Sequence, residues 1–155
     1  TFIAKSQSIS GAIVTLRELI SVDALTEFLL KTLEQYEAKD HRSVEARLQL
    51  IDALDEQPGD MITALLPYLM DHSDDVRIKV INLIEDRIRG IEGDHEHIIR
   101  AFIEAMTDPY ATGRISRSVA DSLIRMEANL TVFKEELEED IPDGYSLKNG
   151  LLRKG

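Results

Sequence analysis

The sequence predicts an all-α fold: about four helical hairpins in series, closed by a short C-terminal tail. Three observations predict it. Apolar residues recur at helical spacing in eight separate stripes. Two kinds of stripe alternate, and like stripes return after 31 to 39 residues, the loose period of a helical solenoid. No sustained alternation of apolar and polar residues runs through the first 140 positions, so no strand is expected there.

The first kind of stripe is spaced i, i+4, i+7. Ile9, Ile13 and Leu16 carry it, then Val44, Leu48 and Ile51, then Val76, Val80 and Leu83. Ile115 and Val119 start a fourth, in which Ser122 takes the i+7 place and Leu123 follows. The second kind is spaced i, i+3, i+4, i+7, as in Ile62, Leu65, Leu66 and Leu69, and again in Ile99, Phe102, Ile103 and Met106. Leu25, Phe28, Leu29 and Leu33 form a looser version, and Leu130, Phe133 and Leu137 a shorter one. On a helix each stripe lies on one face, whereas a strand would scatter it over both.

Helices are therefore expected at 8–20, 22–38, 42–56, 58–70, 73–89, 95–107, 113–128 and 130–139. Ser21 suits the N-cap of the second. Pro58 stands near the start of the fourth, where a missing N–H costs nothing, but Pro67 lies inside the same stripe and should kink or shorten it. Ser73, Asp74 and Asp75 supply a cap and an acidic first turn to the fifth, and Asp94 suits the cap of the sixth. Asp108-Pro109 breaks the chain before the seventh. Residues 1–140 read as one repeat domain and 141–155 as its capping tail. In the tail, Ile141-Pro142-Asp143-Gly144 signals a turn and Asn149-Gly150 suits a hairpin turn. Tyr145, Leu147 and Leu151 would then cover the apolar surface of the last hairpin.

The segment Asp71-His72-Ser73-Asp74-Asp75-Val76-Arg77, followed by Val80 and Ile84, resembles the opening of a HEAT repeat. In that family an Asp ends one hairpin and a Val-Arg pair opens the next. Asp40, Asp71 and Asp108 take the hairpin-ending place, while Glu45 and Ser116 stand where the Arg would follow Val44 and Ile115. The resemblance is best over 40–107 and extends over 8–128. It implies a right-handed α-α superhelix whose second helices line an inner face, and a scaffold that holds another protein there. Some members resemble bilin lyases, hydroxylases or DNA glycosylases. An enzyme or enzyme subunit of the lyase or hydroxylase type is therefore the alternative.

Composition narrows the function. There are 29 Asp and Glu against 18 Lys and Arg, and the net charge is -11. Binding to a nucleic-acid backbone draws on clustered Lys and Arg, so neither nucleic acid nor an anionic membrane is an expected partner. The absence of Trp adds to the case against a base-flipping glycosylase. No apolar run of about 18 residues is present to span a bilayer, and no signal-peptide pattern opens the sequence. A cytoplasmic address is expected. With no cysteine, disulfides, thiolate catalysis and Cys-ligated metals are excluded. No Gly-x-Ser-x-Gly elbow or Gly-rich phosphate loop occurs.

His95-Glu96-His97 is the sharpest candidate for chemistry. Hydroxylases of the class it resembles hold two iron ions with His-Glu pairs on successive repeats. Here there is a single pair, and helix residues two apart point about 200° apart. His41 and His72, which follow hairpin-ending Asp residues, read as surface turns, and the acid pairs Asp74-Asp75 and Glu138-Glu139 as caps and solvated faces. No catalytic residue, metal or cofactor is expected. The expected function is a non-enzymatic protein–protein interaction module. Its contacts should fall on off-stripe residues of second helices: Met61, Tyr68, His97, Arg100 and Glu104.

Overall fold

A computed structural model describes residues 6–36, 41–89, 91–93 and 95–155. The chain is mostly helical, and among these residues it forms eight α-helices and one two-stranded sheet. The helices are α1 (Ser6–Leu19), α2 (Val22–Glu34), α3 (Val44–Asp55), α4 (Met61–Leu65), α5 (Asp74–Ile88), α6 (Glu96–Thr107), α7 (Gly113–Arg125) and α8 (Lys134–Leu137). Two compact units divide the chain, Thr1–Val76 and Arg77–Gly155, and the division falls inside α5. Among the described residues no helix is long and apolar enough to cross a membrane. Asp40 and Asp94, read as a hairpin end and a helix cap, lie outside the described residues, as does the side chain of His41.

In the first unit α3 packs against both α1 and α2. Ser21 caps α2, accepting the Ala24 N–H at 3.2 Å. The buried Gln57 ties the end of α3 to the start of α2, its Nε2 donating to the Val22 carbonyl at 3.0 Å and the Thr26 hydroxyl at 2.9 Å. α4 opens at Asp60, which accepts the Thr63 N–H at 3.2 Å. After one turn it gives way to a 3-10 turn over Leu66–Met70. Pro67 is the cause: it has no N–H to donate back along the helix, and its ring crowds the preceding turn.

The buried face of α3 corrects the expected stripe. Val44 and Leu48 are half-buried, while Ala46, Arg47, Leu50, Ile51 and Leu54 are buried. Ala46 and Leu50 thus take the places that Val76 and Val80 hold in α5 and Ile115 and Val119 hold in α7. The stripe anchored on Val44 is two residues early.

This shift reveals an arginine that the Val-Arg pattern conceals. Arg47 is the fourth residue of α3, as Arg77 is of α5. Arg47 forms a two-pronged pair with Asp71, Nε to Oδ2 at 3.0 Å and Nη2 to Oδ1 at 3.0 Å. Both side chains are almost fully buried, at 1% and 0% exposure. The Arg47 Nη1 donates to the Ser43 hydroxyl at 2.6 Å, and Asp71 accepts the Ser73 N–H at 2.9 Å. In the second unit Arg77 pairs with Asp108 at 2.9 Å, and Asp108 accepts the Tyr110 N–H at 3.4 Å. Each Asp therefore closes a turn through the N–H two residues on and anchors an arginine from earlier in its own unit.

The second unit is built on α6 and α7, which lie against each other. Phe102 and Ile103 are buried on α6, and Val119 and Leu123 on α7. Thr112 caps α7, accepting the Ile115 N–H at 3.3 Å. The eighth helix is shorter than its stripe suggested: a 3-10 turn over Thr131–Phe133 leads into a single turn of α-helix. Leu130, Phe133 and Leu137 are nonetheless buried.

The tail is a β-hairpin. β1 (Tyr145–Lys148) and β2 (Leu151–Lys154) pair antiparallel around Asn149-Gly150. Both turn residues have positive φ, 55° and 79°, as a type I′ turn requires. β2 packs on α7, the Gly150 carbonyl accepts the Leu130 N–H at 2.7 Å, and the Tyr145 hydroxyl donates to Asp121 at 2.5 Å. Leu147 stands opposite Leu152, so Tyr145, Leu147 and Leu152 share one face. Leu151 falls on the other face. The most buried of them is Leu152, at 5% exposure.

Asp71→Ala leaves Arg47 buried without its carboxylate and should destabilise the fold by about 3–5 kcal/mol, measured by denaturant unfolding. Gly150→Ala combines an unfavourable positive φ with a Cβ that would run into the Thr131 hydroxyl. It should cost about 1–3 kcal/mol, read as a lowered melting temperature.

Candidate functional site

Three of the five expected contact residues share one surface. His97, Arg100 and Glu104 are spaced i, i+3, i+7 along α6 and are exposed. Arg100 lies over the Phe133 ring, 4.9 Å from its centroid, between Glu96 at 3.8 Å and Glu136 at 3.6 Å. It is about half exposed. Met61 is buried, at 6% exposure, and has little surface to give a partner. Tyr68 is half-buried in the 3-10 turn after α4. Burial raises its hydroxyl pKa above 10.0, and the charges of Glu34 and Asp71 push the same way.

The histidine pattern splits. His97 is exposed on α6, whereas His95 precedes the helix and its Nε2–H donates to the Ile91 carbonyl at 2.9 Å. A carbonyl can only accept, so that contact puts the proton on Nε2. Among the described residues no three His, Asp or Glu side chains gather as a metal ion would require. His72 is exposed.

The most organised polar cluster in the second unit lies elsewhere. Glu85 of α5 is buried, at 4% side-chain exposure, and faces α7. Ser122, fully buried, donates to its Oε1 at 2.6 Å. Arg125 Nε donates to both carboxylate oxygens, at 3.1 and 3.0 Å, and Nη2 to Oε1 at 2.9 Å. Arg89 Nη2 donates to Oε2 at 2.6 Å. Burial alone would raise the Glu85 pKa. The hydrogen bonds from Arg125 and Ser122, with the charges of Arg125 and Arg89, outweigh it and hold the carboxyl below its ordinary 4.5. The same hydrogen bond from Arg125, set against burial, raises the arginine's own pKa. Ser122 is the residue that broke the stripe of α7. A small hydroxyl in an apolar place was the one sequence signal pointing to this cluster.

Beside it opens a cleft of about 430 Å³, lined by the C-terminal turns of α5 and α7, residues 91–93 and the start of α6. Ile88, Ile99, Met126 and Ala128 are its apolar lining, and Arg89, Arg125, Glu92 and His95 supply the polar groups. The two arginines are about half exposed, at 58% and 48% of their side chains.

Comparison of the chain with protein-family profiles, characterised proteins and solved structures gives no match.

Glu85→Gln should lower stability by about 1–3 kcal/mol at neutral pH, because the carboxylate that gathers Ser122, Arg125 and Arg89 becomes a neutral amide. A lowered folded-state pKa contributes stability that is complete above 4.5 and is lost as pH falls through the lowered value. The gap between the wild-type and variant melting temperatures should therefore narrow as the pH is taken below 4.5.

Proposed function

We propose that this chain is a non-enzymatic protein–protein interaction module with a HEAT-like arrangement of helical hairpins. The repeated side-chain device supports the arrangement: an arginine at the fourth position of α3 and of α5, paired with the Asp that ends the hairpin, Asp71 and Asp108. Helical repeats of this kind use their second helices as an extended recognition surface. In the second unit α6 occupies that place. The observation that carries the binding reading is its outer line, His97, Arg100 and Glu104. Arg100 is already ordered over Phe133 and flanked by acids, so less side-chain entropy is lost when a partner docks on it. Arginine on an aromatic ring is also a frequent centre of binding energy.

The triple substitution His97→Ala, Arg100→Gln, Glu104→Lys tests the assignment. Stability should be little changed, because all three side chains are exposed. A protein captured from the source cell by the wild-type chain should be lost by the variant while the two melt at the same temperature. Retention of the same protein by the variant would move the interface off α6.

A further inference from the structure

We infer that the cleft beside Glu85 is a binding site for a carboxylate carrying a short apolar group. This goes beyond the interaction module and does not depend on it. The volume, about 430 Å³, falls in the roughly 300–1,000 Å³ range of small-ligand sites. The lining is asymmetric. Ile88, Ile99, Met126 and Ala128 offer an apolar pocket, and two guanidinium groups stand with them. Such an arrangement matches a ligand with one apolar end and one anionic end.

The N–H donors left over decide the sign of that end. One buried carboxylate, Glu85, serves two guanidinium groups, Arg89 and Arg125. Asp86 sits 3.9 Å from Arg89 Nη1, too far for a hydrogen bond; Asp86 and Asp121 act on Arg125 through charge alone, and Glu92 is an exposed acid on the lining. Arg125 spends Nε and Nη2 on Glu85, and among the described residues nothing accepts from its Nη1. Arg89 spends Nη2 on the same carboxylate. Among the described residues, donors therefore remain on both cations.

The donors are also pre-positioned. A free arginine loses much rotamer entropy when it grips a ligand. Here Glu85, itself held by Ser122, fixes one end of each guanidinium before any ligand arrives. A planar guanidinium pair suits a carboxylate, which accepts two parallel N–H bonds. His95 closes another side of the cleft with its ring fixed on the Ile91 carbonyl. The ligand chemistry has two sources, a small aliphatic acid or the C-terminus of a peptide ending in an apolar residue such as Leu.

The test is an NMR titration of the full chain with 4-methylpentanoate and, separately, with its uncharged amide. The acid should shift the backbone resonances of Ile91, Glu92, Ile99 and Met126, and the amide should not. Arg89→Gln, at a half-exposed position, should weaken the acid by at least about ten-fold with the fold intact. Met126→Trp, which puts a larger side chain into the pocket, should abolish the shifts of Ile91, Glu92 and Ile99. No shift at these residues with the acid in the millimolar range, an equal shift with the amide, or unchanged binding by Arg89→Gln would each overturn the assignment. A tetrapeptide ending in Leu separates the sources. Tighter binding than the free acid identifies a peptide terminus, and equal or weaker binding identifies a small acid.

Discussion

Burying an ion pair is the constraint on which each unit depends. Arg47 and Asp71 are both out of water, and a charge taken out of water is costly unless a partner meets it with good geometry. The two parallel contacts at 3.0 Å, the Ser43 hydroxyl and the Ser73 N–H supply that geometry. A pair of this kind is worth little as raw stability, since apolar side chains of the same volume would serve as well. Its value lies in what it forbids. Any slip of the turn at Asp71 by one residue would leave a buried arginine and a buried carboxylate unmatched. Arg77 and Asp108 impose the same condition in the second unit. In α7 the fourth position holds Ser116, which instead donates to the Met106 carbonyl at 3.1 Å. No arginine stands there.

The second unit adds its own charge constraint in Glu85. A carboxylate that faces an apolar helix would normally take up a proton. Three donors reverse that tendency: Ser122 and Arg125 of α7, the latter in its last turn, and Arg89, which directly follows α5. The C-terminal ends of helices carry partial negative charge, which Arg89 and Arg125 offset. The same two residues thus answer a buried acid and a helix dipole. Their guanidinium positions follow from folding rather than from any ligand.

Helix positions were legible in the sequence because apolar spacing and caps agreed. α2 begins after Ser21 as its cap predicts, and Pro67 shortens α4 as its missing N–H predicts. The hairpin turn was legible because Asn-Gly is one of few pairs that accept two positive φ angles in succession. What stayed hidden were features set by long-range pairing. Val44 looks like the match for Val76, so Glu45 seems to replace the arginine. The burial of Ala46 puts Arg47 in that place, and an alanine gives too weak an apolar signal to anchor a stripe. Leu151 looked like part of the covering face because it is apolar, but antiparallel register assigns that side to Leu152. Of the contact residues, His97, Arg100 and Glu104 are exposed as their spacing on α6 implies, while Met61 is buried with Ile62 and Leu65, and the exposed position of α4 is Thr63.

The cluster at Glu85 shows why a site of this kind escapes motif reading. Its members come from α5 and α7, about 40 residues apart, and none sits in a recognisable pattern. Arginines at or just past helix ends and a glutamate on an amphipathic helix are ordinary by themselves. The informative residue is the small one. Ser122 stands where the stripe of α7 calls for a larger apolar side chain, and a hydroxyl buried there needs an acceptor. That need points across to another element, and the acceptor it finds is a carboxylate that in turn requires cations. Following one unsatisfied group to the next, from Ser122 to Glu85 to Arg125 and Arg89, leads from a gap in a hydrophobic pattern to the cationic side of a cleft.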